Sequence, residues 1–386
     1  MARVVVAGYL VRYPLGGYAW CAAHYLLGLR ALGHDAWFYE DTGYYDLAYD
    51  PAAGTVEPRY EAGVRAAGDF LGRIGFGDRW VFADVQRGQE HGPAAGRSVA
   101  LLREADLLLN VGGVNHVPAD RRGGRPALFV DLDPAYTQIK AASGDAVVRA
   151  MLDAHDVHAT VGENIGTERS PIPTAGYRWH PTRPPVACDW WADSGAPGAS
   201  WTTVGRWDEP TRDLAWAGRT YGWRKRTEWL RCLDLPARTG ARFEIAMDVD
   251  NVPGDGALLR GHGWNVVDPR VVSVDPLRYR EYLQGSRGEF TVAKEMNIAL
   301  RSGWFSDRAV CYLAAGRPVV EQDTAFGDVL PLGPGLHAFR TVDDAAAAIA
   351  QIEHDWDRAS AHARAVAHEY FDAARVVGAL LRTAGL

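Results

Sequence analysis

The sequence predicts an α/β protein made of two doubly wound domains that face each other across a cleft. Its 386 residues exceed one ordinary core and favour two domains of roughly 150–200 residues each. In both halves, short apolar runs typical of buried parallel strands alternate with stretches of helical spacing. A stretch rich in proline and tryptophan, residues 170–198, lies between the halves and fits no regular element, so we predict an interdomain linker there.

The N-terminal half opens with a strand-loop-helix-strand unit. The run "RVVVAGYLV" (3–11) is β-branched and suits a buried strand. Apolar residues at helical spacing predict a helix from Tyr18 to Leu32, which Gly33 ends, and "HDAWFYE" (34–40) predicts the next strand. Further strands are predicted at 105–113, 125–134 and 157–166. This order of elements is typical of the start of a doubly wound domain.

The C-terminal half repeats the alternation of strands and helices. Its strands are predicted at 201–207, 241–250, 263–269 and, as the last one, 315–323. Helices are predicted over 274–290, after Ser306, and throughout the tail from Thr341, where no strand is expected. Two α/β halves in succession create a cleft between domains, and such clefts are preferred sites for ligands.

The composition is that of a globular protein with an acidic balance of charge. Hydrophobic residues make up 47% and charged residues 23% of the chain, which excludes a disordered polypeptide. The net charge of −7 argues against a nucleic-acid partner, because such partners normally require a basic surface. No apolar run is long enough to span a membrane and the N-terminus lacks the features of a signal peptide, so we expect a cytoplasmic protein. The scattered cysteines show no spacing of metal ligands.

Residues 303–324, "GWFSDRAVCYLAAGRPVVEQDT", place polar side chains at two positions suited to a ligand. Ser306 is a natural N-cap, and the first backbone N–H groups of the helix after it are free to meet an anion. The triplet 321–323 follows a strand at its carboxyl end, where open α/β sheets present ligands. An ordinary capped helix and a solvated loop are the alternatives at these two positions.

This segment resembles the GT-B class of nucleotide-sugar-dependent glycosyltransferases, although it indicates no subfamily. The resemblance is carried by "GWFS" (303–306), "AAGRPVV" (314–320) and "EQD" (321–323), with support from "VGRW" (204–207) and "YLLGLRALGHDAWFYED" (25–41). The ribose-binding glutamate that this class has early in the donor helix is missing here. The resemblance implies two Rossmann-like domains facing a cleft: an acceptor-binding domain at 1–185, a donor-binding domain at 186–365, and a C-terminal helix at 366–386 that packs back on the first domain.

The resemblance also implies an activity. A sugar would pass from a nucleotide-diphosphate sugar, such as a UDP or dTDP sugar, to a hydroxyl or amine of an acceptor, which we expect to be a small molecule such as a natural product. No metal ion and no further cofactor are expected, and a homodimer is an open expectation. The diphosphate would lie at Ser306 and the sugar at the triplet 321–323, with Asp307 pointing away. The predicted donor-binding residues are Arg206, Lys225, Glu289, Lys294, Ser306, Asp307, Arg308, Glu321, Gln322 and Asp323.

Catalysis with inversion would require a base in the N-terminal domain that removes the proton of the acceptor hydroxyl. The candidates for this base are Asp133 and Asp131, at a strand end, followed by His24 and His116. Each lone histidine is more often a structural residue than a catalytic one. The residues expected to line the acceptor side of the cleft are Gly16, Gly17, Gly112, Glu163 and Asn164. A surface charge pair is the alternative role for Glu289 and Lys294.

Three other classes of protein stay open at this point. The triplets Asp131–Asp133 and Asp248–Asp250 match the metal-binding triplet of GT-A glycosyltransferases, but one such domain leaves the second α/β half unexplained. A GT-B-fold epimerase would release nucleotide without an acceptor, and a non-catalytic nucleotide-sugar-binding protein would show no turnover. No Walker A, GxGxxG, GxSxG or HExxH motif is present, which disfavours kinases, dehydrogenases, hydrolases and zincins.

Overall fold

The computed structural model describes residues 1–192 and 195–386, which form two separate sheets flanked by helices. The strands of the N-terminal half are β1 (Arg3–Ala7), β2 (Asp35–Asp41), β3 (Ala48–Asp50), β4 (Thr55–Glu57), β5 (Trp80–Asp84), β6 (Gln89–His91), β7 (Leu107–Val111), β8 (Ala127–Asp131), β9 (Val157–Thr160) and β10 (Trp179–Pro181). Its helices are α1 (Gly16–Ala31), α2 (Glu61–Arg73), α3 (Ser98–Glu104), α4 (Tyr136–Ala142) and α5 (Ala146–Asp153).

The first sheet has the strand order β10-β9-β8-β7-β1-β2-β5-β6. All neighbours pair in parallel except β6, which is antiparallel to β5, while β3 and β4 form a separate hairpin. Strand β1 is covered on both faces, since Val4, Val5 and Val6 are fully buried. Along β5-β2-β1-β7-β8-β9, the chain follows the 3-2-1-4-5-6 order of a doubly wound domain.

The second half contains the strands β11 (Ser200–Val204), β12 (Leu214–Trp216), β13 (Arg219–Tyr221), β14 (Arg242–Ala246), β15 (Trp264–Val267), β16 (Gly288–Thr291), β17 (Val319–Gln322) and β18 (Leu336–Phe339). Its helices are α6 (Arg226–Leu230), α7 (Leu235–Thr239), α8 (Asp255–Gly261), α9 (Pro269–Ser273), α10 (Pro276–Gln284), α11 (Glu295–Ala299), α12 (Asp307–Ala314), α13 (Val342–His354), α14 (Trp356–Val366) and α15 (Ala373–Thr383).

The second sheet repeats the topology of the first. Its order is β15-β14-β11-β16-β17-β18, with every pair parallel, and this is again the 3-2-1-4-5-6 order. The chain reverses its direction of winding between β11 and β16. Open α/β sheets bind ligands in the crevice at this switch point. The predicted fold class, two Rossmann-like domains, is therefore confirmed.

The C-terminal helix α15 packs back on the first domain, as predicted. It lies against α1, where a Cβ on Gly28 would come 2.6 Å from the carbonyl oxygen of Ala373. A glycine is therefore needed for the two helices to approach this closely. The limits at 185 and 365 stay predictions. No helix among the described residues combines the length and the apolar character that a membrane span requires.

Three predictions about secondary structure were wrong. The stretch 170–198 contains an edge strand, β10, which its prolines conceal, and Val186 exchanges backbone hydrogen bonds with Phe371 and Ala373; residues 193 and 194 of this stretch lie outside the described residues. Residues 288–291, assigned to the end of a helix, form the central strand β16. The strand β18 follows β17, although 315–323 was predicted to contain the last strand.

Gly16→Ala is expected to destabilise the protein by about 1 to 3 kcal/mol through overpacking between the domains. Gly16 begins α1, and an added Cβ would lie 2.3 Å from Cβ of Tyr279, a buried residue of α10 in the second domain. This placement gives Gly16 a role in domain contact, where we expected an acceptor site. Thermal unfolding measures the effect.

Gly72→Ala provides the matched control for this prediction. Gly72 lies in α2 and an added Cβ there meets no atom within 4 Å. An alanine in place of a glycine inside a helix is expected to stabilise by roughly 0.5–1 kcal/mol. A Gly16→Ala variant as stable as the wild type would contradict the close domain contact.

Candidate active site

The candidate site lies at the switch point of the second sheet, between the ends of β11 and β16. The start of α12 faces this point, and the loop 205–213 after β11 forms its rim. Asp133, at the strand end of the first domain, approaches the same place through an ion pair with Lys294. The site therefore takes residues from both domains.

Ser306 is the N-cap of α12, as predicted. Its Oγ accepts a hydrogen bond from the backbone N–H of Arg308 at 3.3 Å. Asp307, the first residue of the helix, is exposed and lines a small cavity with Cys21 of α1. The protein around the cavity desolvates the Asp307 carboxyl group and raises its pKa although the side chain keeps exposed surface, while Arg308 opposes this effect. Asp307 therefore faces the first domain across the cleft, and the expectation that it points away from the diphosphate stays a prediction.

Arg308 extends inwards from α12 to the strand ends. Its Nε donates to Oε1 of Glu289 at 2.5 Å and its Nη2 to Oγ1 of Thr291 at 2.8 Å, while Nη1 donates to the carbonyl oxygen of Val204. Burial tends to lower the pKa of Arg308, but the charge and hydrogen bond of Glu289, together with Tyr279 and Tyr312, outweigh it and the pKa is raised. Arg308 thus ties β11, β16 and α12 together. The alternative of a surface charge pair between Glu289 and Lys294 is wrong, because each has another partner.

Two buried glutamates beneath this point carry unpartnered oxygens. Glu289 and Glu321 have no exposed surface, and neither oxygen of Glu321 nor Oε2 of Glu289 has a hydrogen-bond partner among the described residues. Burial raises the pKa of both carboxyl groups, and their mutual repulsion adds to the effect at Glu321. Buried polar atoms are normally paired, so each of these oxygens has capacity for a donor that the side chains of the described residues do not supply.

Lys225 is a cation of the site that lacks a carboxylate partner among the described residues. It precedes α6, and its Nζ lies 5.1 Å from the ring centroid of Trp304. Among the residues that the structure describes, no carboxylate lies within ion-pairing distance of Nζ. Burial and the nearby charge of Arg308 lower the pKa of Lys225 to about 7, although Glu321 and Glu289 oppose them. In these surroundings of low polarity, an anionic ligand stabilises the ammonium group of Lys225 more than it would stabilise that of an exposed lysine.

The rim loop contributes the predicted Arg206 and two residues that were not predicted, Glu209 and Arg212. Arg206, 60% exposed, donates to Oε1 of Glu209 at 2.9 Å, and Nε1 of Trp223 donates to Oε2 of the same carboxylate at 2.8 Å. The guanidinium of Arg212 lies 4.2 Å from the ring centroid of Trp223. The segment "GRWDEPTRD" (205–213), which follows β11, is rich in charged residues. This pattern could have identified Glu209 and Arg212 as site residues.

Asp133 and Lys294 form an ion pair across the cleft. Nζ of Lys294 lies 3.1 Å from Oδ1 of Asp133 and 3.1 Å from the ring centroid of Trp223. Burial lowers the pKa of Lys294, while Asp133 opposes this effect. The side chain of Asp133 is 42% exposed, so an acceptor can reach it. Asp133 therefore stays a candidate for the base.

Asp131, the second candidate base, is structural. Its carboxylate is buried and accepts hydrogen bonds from the side chains of Thr137, Gln138 and Thr160 at 2.7 to 2.8 Å. Burial raises the pKa of Asp131, and these hydrogen bonds oppose the effect. Since all of its donors are internal, the geometry assigns Asp131 to holding α4 against β8 and contradicts a role as base.

His24 is also enclosed, whereas His116 is accessible. Nδ1 of His24 accepts a hydrogen bond from the backbone N–H of Ala187 at 3.1 Å, and Nε2 lies 3.5 Å from Sγ of Cys311. Burial lowers the pKa of His24 to about 3, which makes it a poor base at neutral pH and contradicts that prediction. His116 is exposed beside Tyr44, with 4.9 Å between the ring centroids, and stays a candidate.

Gln322 and Asp323 are engaged away from the ligand position. Gln322 accepts from the backbone N–H of Ala293 at 3.2 Å and donates to Oε2 of Glu228 at 2.7 Å. Asp323 accepts from Nε of Arg340 at 2.7 Å. Only Glu321 of the predicted triplet has free oxygens at the site, so the geometry does not favour sugar contacts by the other two residues.

Asn164 contacts the second domain directly, and Glu163 does so through Arg183, whose Nη2 also donates to the carbonyl oxygen of Val329 at 3.2 Å. The carboxylate of Glu163 accepts two hydrogen bonds from Arg183, at 2.7 and 3.0 Å. Nδ2 of Asn164 donates to the carbonyl oxygens of Arg301 and Ala325, both at 3.2 Å in the second domain. These residues form a clasp beside the cleft, which corrects the expectation that they line an acceptor site. Gly112 has a φ of 78° at the end of β7, and Gly17 lines the cavity beside Asp307.

The second Asp-x-Asp triplet serves its own loop. Asp248 accepts hydrogen bonds from the backbone of Trp207 and from Asn251, and Asp250 pairs with Arg260 at the surface. Among the described residues, no group of three or more metal-ligating side chains converges on one point. The two-sheet fold itself excludes the single-domain GT-A architecture.

Known proteins resemble this chain in structure but not in sequence. No protein-family model and no curated sequence matches it. An alpha-glucosyltransferase in complex with UDP and a mismatched DNA is 9% identical, with a TM-score of 0.63 over 100% of this chain and 99% of its own. HepE of Anabaena, in complex with UDP and glucose, is 12% identical, with a TM-score of 0.59 over 100% of both chains. These similarities extend over the whole length, and the chain has the GT-B fold of glycosyltransferases.

Proposed function

We propose that this protein is a glycosyltransferase that moves a sugar from a nucleotide-diphosphate sugar to an acceptor bound in the cleft. The observation that carries the proposal is Lys225, a desolvated cation without a carboxylate partner at the switch point of the second sheet. An anion is the ligand that such a group requires. The N-cap of α12 adds backbone N–H groups beside it, and helix starts of this kind bind phosphate.

The donor would be oriented by charges of both signs. The diphosphate would contact Lys225 and the start of α12, and the exposed Arg206 is able to turn from Glu209 towards it. Glu321 and Glu289 would accept hydroxyl groups of the donor through their unpartnered oxygens. Arg308 positions Glu289 and needs no direct contact with phosphate. Both structural neighbours described above are complexes with UDP, which supports a uridine nucleotide as the first donor to test, with dTDP as the second.

Asp133 would act as the general base towards the acceptor. It belongs to the first domain, is partly exposed, and is held at the cleft by Lys294. A carboxylate in this position can take the proton of an acceptor hydroxyl as its oxygen bonds to the anomeric carbon of the sugar, while the bond from that carbon to the diphosphate breaks and the nucleoside diphosphate leaves. Closure of the domains over the donor would exclude water, the competing acceptor.

The acceptor is proposed to be a small molecule, and the protein to act in the cytoplasm without a metal ion. The acidic net charge of −7 disfavours DNA as acceptor. An epimerase on the same fold would release nucleotide in the absence of any acceptor. A binding protein would show no turnover under any condition.

A thermal-shift panel tests the donor site. Ligand at about 100 times its dissociation constant adds roughly 2.7 kcal/mol of stability. The panel contains UDP, dTDP, GDP and ADP and their glucose conjugates, each measured with Mg²⁺ and with EDTA. We expect one nucleotide to raise the unfolding temperature selectively. Lys225→Met should weaken its binding by about 10- to 100-fold, the loss of one charge-assisted contact. Lys140→Met, on α4 and paired with Asp145, is the control. No shift with any nucleotide would refute the proposal.

Donor affinity is expected to fall as the pH rises above 7. The ammonium form of Lys225 binds the diphosphate, so binding raises its pKa from the value of about 7 in the free protein. Below pH 7 the affinity is therefore constant, and between pH 6.5 and 8.5 the dissociation constant should rise about 20-fold. Calorimetry with a nucleotide sugar, whose diphosphate does not titrate in this range, measures it. A profile as flat as that of Lys225→Met would contradict this role.

A further inference from the structure

Five tyrosines of the first domain form one cluster on its cleft side. Tyr9, Tyr13 and Tyr18 belong to the β1–α1 segment, and Tyr45 and Tyr49 to the segment after β2. The ring centroids lie 4.9 Å apart for Tyr9 and Tyr13, 5.9 Å for Tyr13 and Tyr18, and 5.9 Å for Tyr13 and Tyr49. Tyr18 and Tyr45 keep 43% and 37% of their surface exposed, and the other three are half-buried. We call this set the tyrosine platform.

A fully buried ion pair supports the platform from below. Arg12 and Glu40 have no exposed surface and pair at 3.0 Å. The guanidinium of Arg12 lies 4.8 Å from the ring centroid of Tyr9 and 4.5 Å from that of Tyr45. Glu40 also accepts hydrogen bonds from the backbone N–H groups of residues 10–12, which fixes the loop that carries Tyr9 and Tyr13. Rings held in this way lose little freedom when a ligand binds.

The platform faces the candidate active site. Gly17, the chain neighbour of Tyr18, lines the same small cavity as Asp307 and Arg308 at the start of α12. In keeping with this placement, burial and the negative charges of Asp133 and Glu209 raise the pKa of the Tyr18 hydroxyl. At the other end, burial raises the pKa of Tyr49, while the charges of Arg270 and Asp268 act on it. The platform therefore runs from the proposed base towards α9 of the second domain.

We infer that the tyrosine platform binds the acceptor, and that the acceptor contains at least two linked rings, each with a flat apolar face and hydroxyl groups at its edge. This inference rests on the proposed function. Aromatic faces stack on flat apolar rings, and Tyr18 and Tyr45 keep 43% and 37% of their surface exposed for such contact. Tyr13 lies 5.9 Å from Tyr18, edge-on at 65°, and 5.9 Å from Tyr49, nearly parallel at 16°, so the platform offers more than one ring position.

The direction of binding follows from the same placement. The ring over Tyr18 would present its hydroxyl to Asp133, and the second ring would lie over Tyr13 and Tyr49. Beyond Tyr49 an open groove continues between Pro51 and the α9 residues Arg270 and Val271. Linked sugars and polyphenols share this chemistry of hydroxylated rings, and the experiment below distinguishes them.

Saturation-transfer NMR tests the platform without any nucleotide. The probes are methyl glucoside and methyl maltoside for linked sugars, and umbelliferone and naringenin for phenols. In at least one of the two series, both probes are expected to receive saturation from the protein, and the larger probe to bind more tightly. Tyr49→Ala should weaken the larger probe at least fivefold and leave the smaller unchanged, whereas Tyr18→Ala should weaken both.

Matched variants keep this experiment decisive. Tyr49→Phe and Tyr18→Phe retain the rings and should bind like the wild type. Tyr177→Ala, at the opposite edge of the first sheet beside His158 and Trp179, should also have no effect. Unfolding temperatures and UDP binding, measured on the same samples, report folding and the donor site separately. Equal losses for both probes in Tyr49→Ala, or no probe that responds to either alanine variant, would overturn the inference even where UDP binds.

Discussion

Asp133→Asn is expected to lower kcat by about 10²- to 10⁴-fold, the contribution of a positioned general base. The amide keeps the size of the side chain and its hydrogen-bonding oxygen near Lys294, but it cannot accept the acceptor proton. The pair lies across the cleft with 3.1 Å between Nζ and Oδ1, so donor binding in the second domain should stay within about twofold of the wild type. Transfer of labelled sugar and the thermal shift with nucleotide measure the two effects.

Asp131→Asn is the informative comparison for this variant. Asp131 is two residues away, buried and bonded to three side chains, so its replacement should lower the unfolding temperature. A loss of kcat confined to Asp133→Asn, in a protein of normal stability, identifies the base. If Asp133→Asn keeps more than a tenth of the activity, the base lies elsewhere, and Asp307 is the next carboxylate that faces the cleft.

Glu40→Gln is expected to destabilise the first domain by about 3 to 5 kcal/mol, because it leaves the guanidinium of Arg12 buried without a countercharge. Both side chains are fully buried, and burial alone would lower the pKa of Arg12, which the charge of Glu40 reverses. The same carboxylate also accepts the backbone N–H groups of residues 10–12. Guanidinium unfolding followed by tryptophan fluorescence measures the loss.

Glu57→Gln provides a control of the same chemistry at the surface. Glu57 pairs with Arg59 at 3.2 Å, and their side chains are 40% and 79% exposed. Exposed ion pairs contribute at most about 1 kcal/mol, so this variant should unfold nearly like the wild type. Similar stabilities of the two variants would show that the buried pair does not hold the tyrosine platform in place.

Elements with a strong local pattern were predictable from the sequence. The apolar runs of β1, β7 and β8 are nearly continuous because parallel strands in this sheet are covered on both faces. The N-cap at Ser306 was also visible, because capping depends on residues close in sequence. Short elements were missed for the opposite reason: β10 has three residues among prolines, and β16 has four residues, two of them the polar Glu289 and Thr291, which show no apolar run.

The site was predictable in position but not in detail. Ser306 begins a helix and Asp133 follows a strand, as their sequence contexts indicated, whereas Lys225 was assigned to a facing loop and precedes α6. The partners that decide their roles are distant in sequence. Arg308 meets Glu289 only because β16 lies beside β11, and Gln322 is taken by Glu228 of α6. The tyrosine platform was missed because its rings come from two segments that are joined by the buried pair of Arg12 and Glu40.

Labelling of lysines in the presence of nucleotide sugars tests the central claim most directly. The chain has three lysines, and Lys140 and Lys294 are each paired with a carboxylate. With a pKa of about 7, Lys225 should acylate fastest at pH 7.5. One among UDP-, dTDP-, GDP- and ADP-glucose is expected to slow the labelling of Lys225 at least tenfold in mass spectra, while Lys140 reacts as before. If all four leave the rate at Lys225 unchanged, the donor does not bind at this point and the account is wrong.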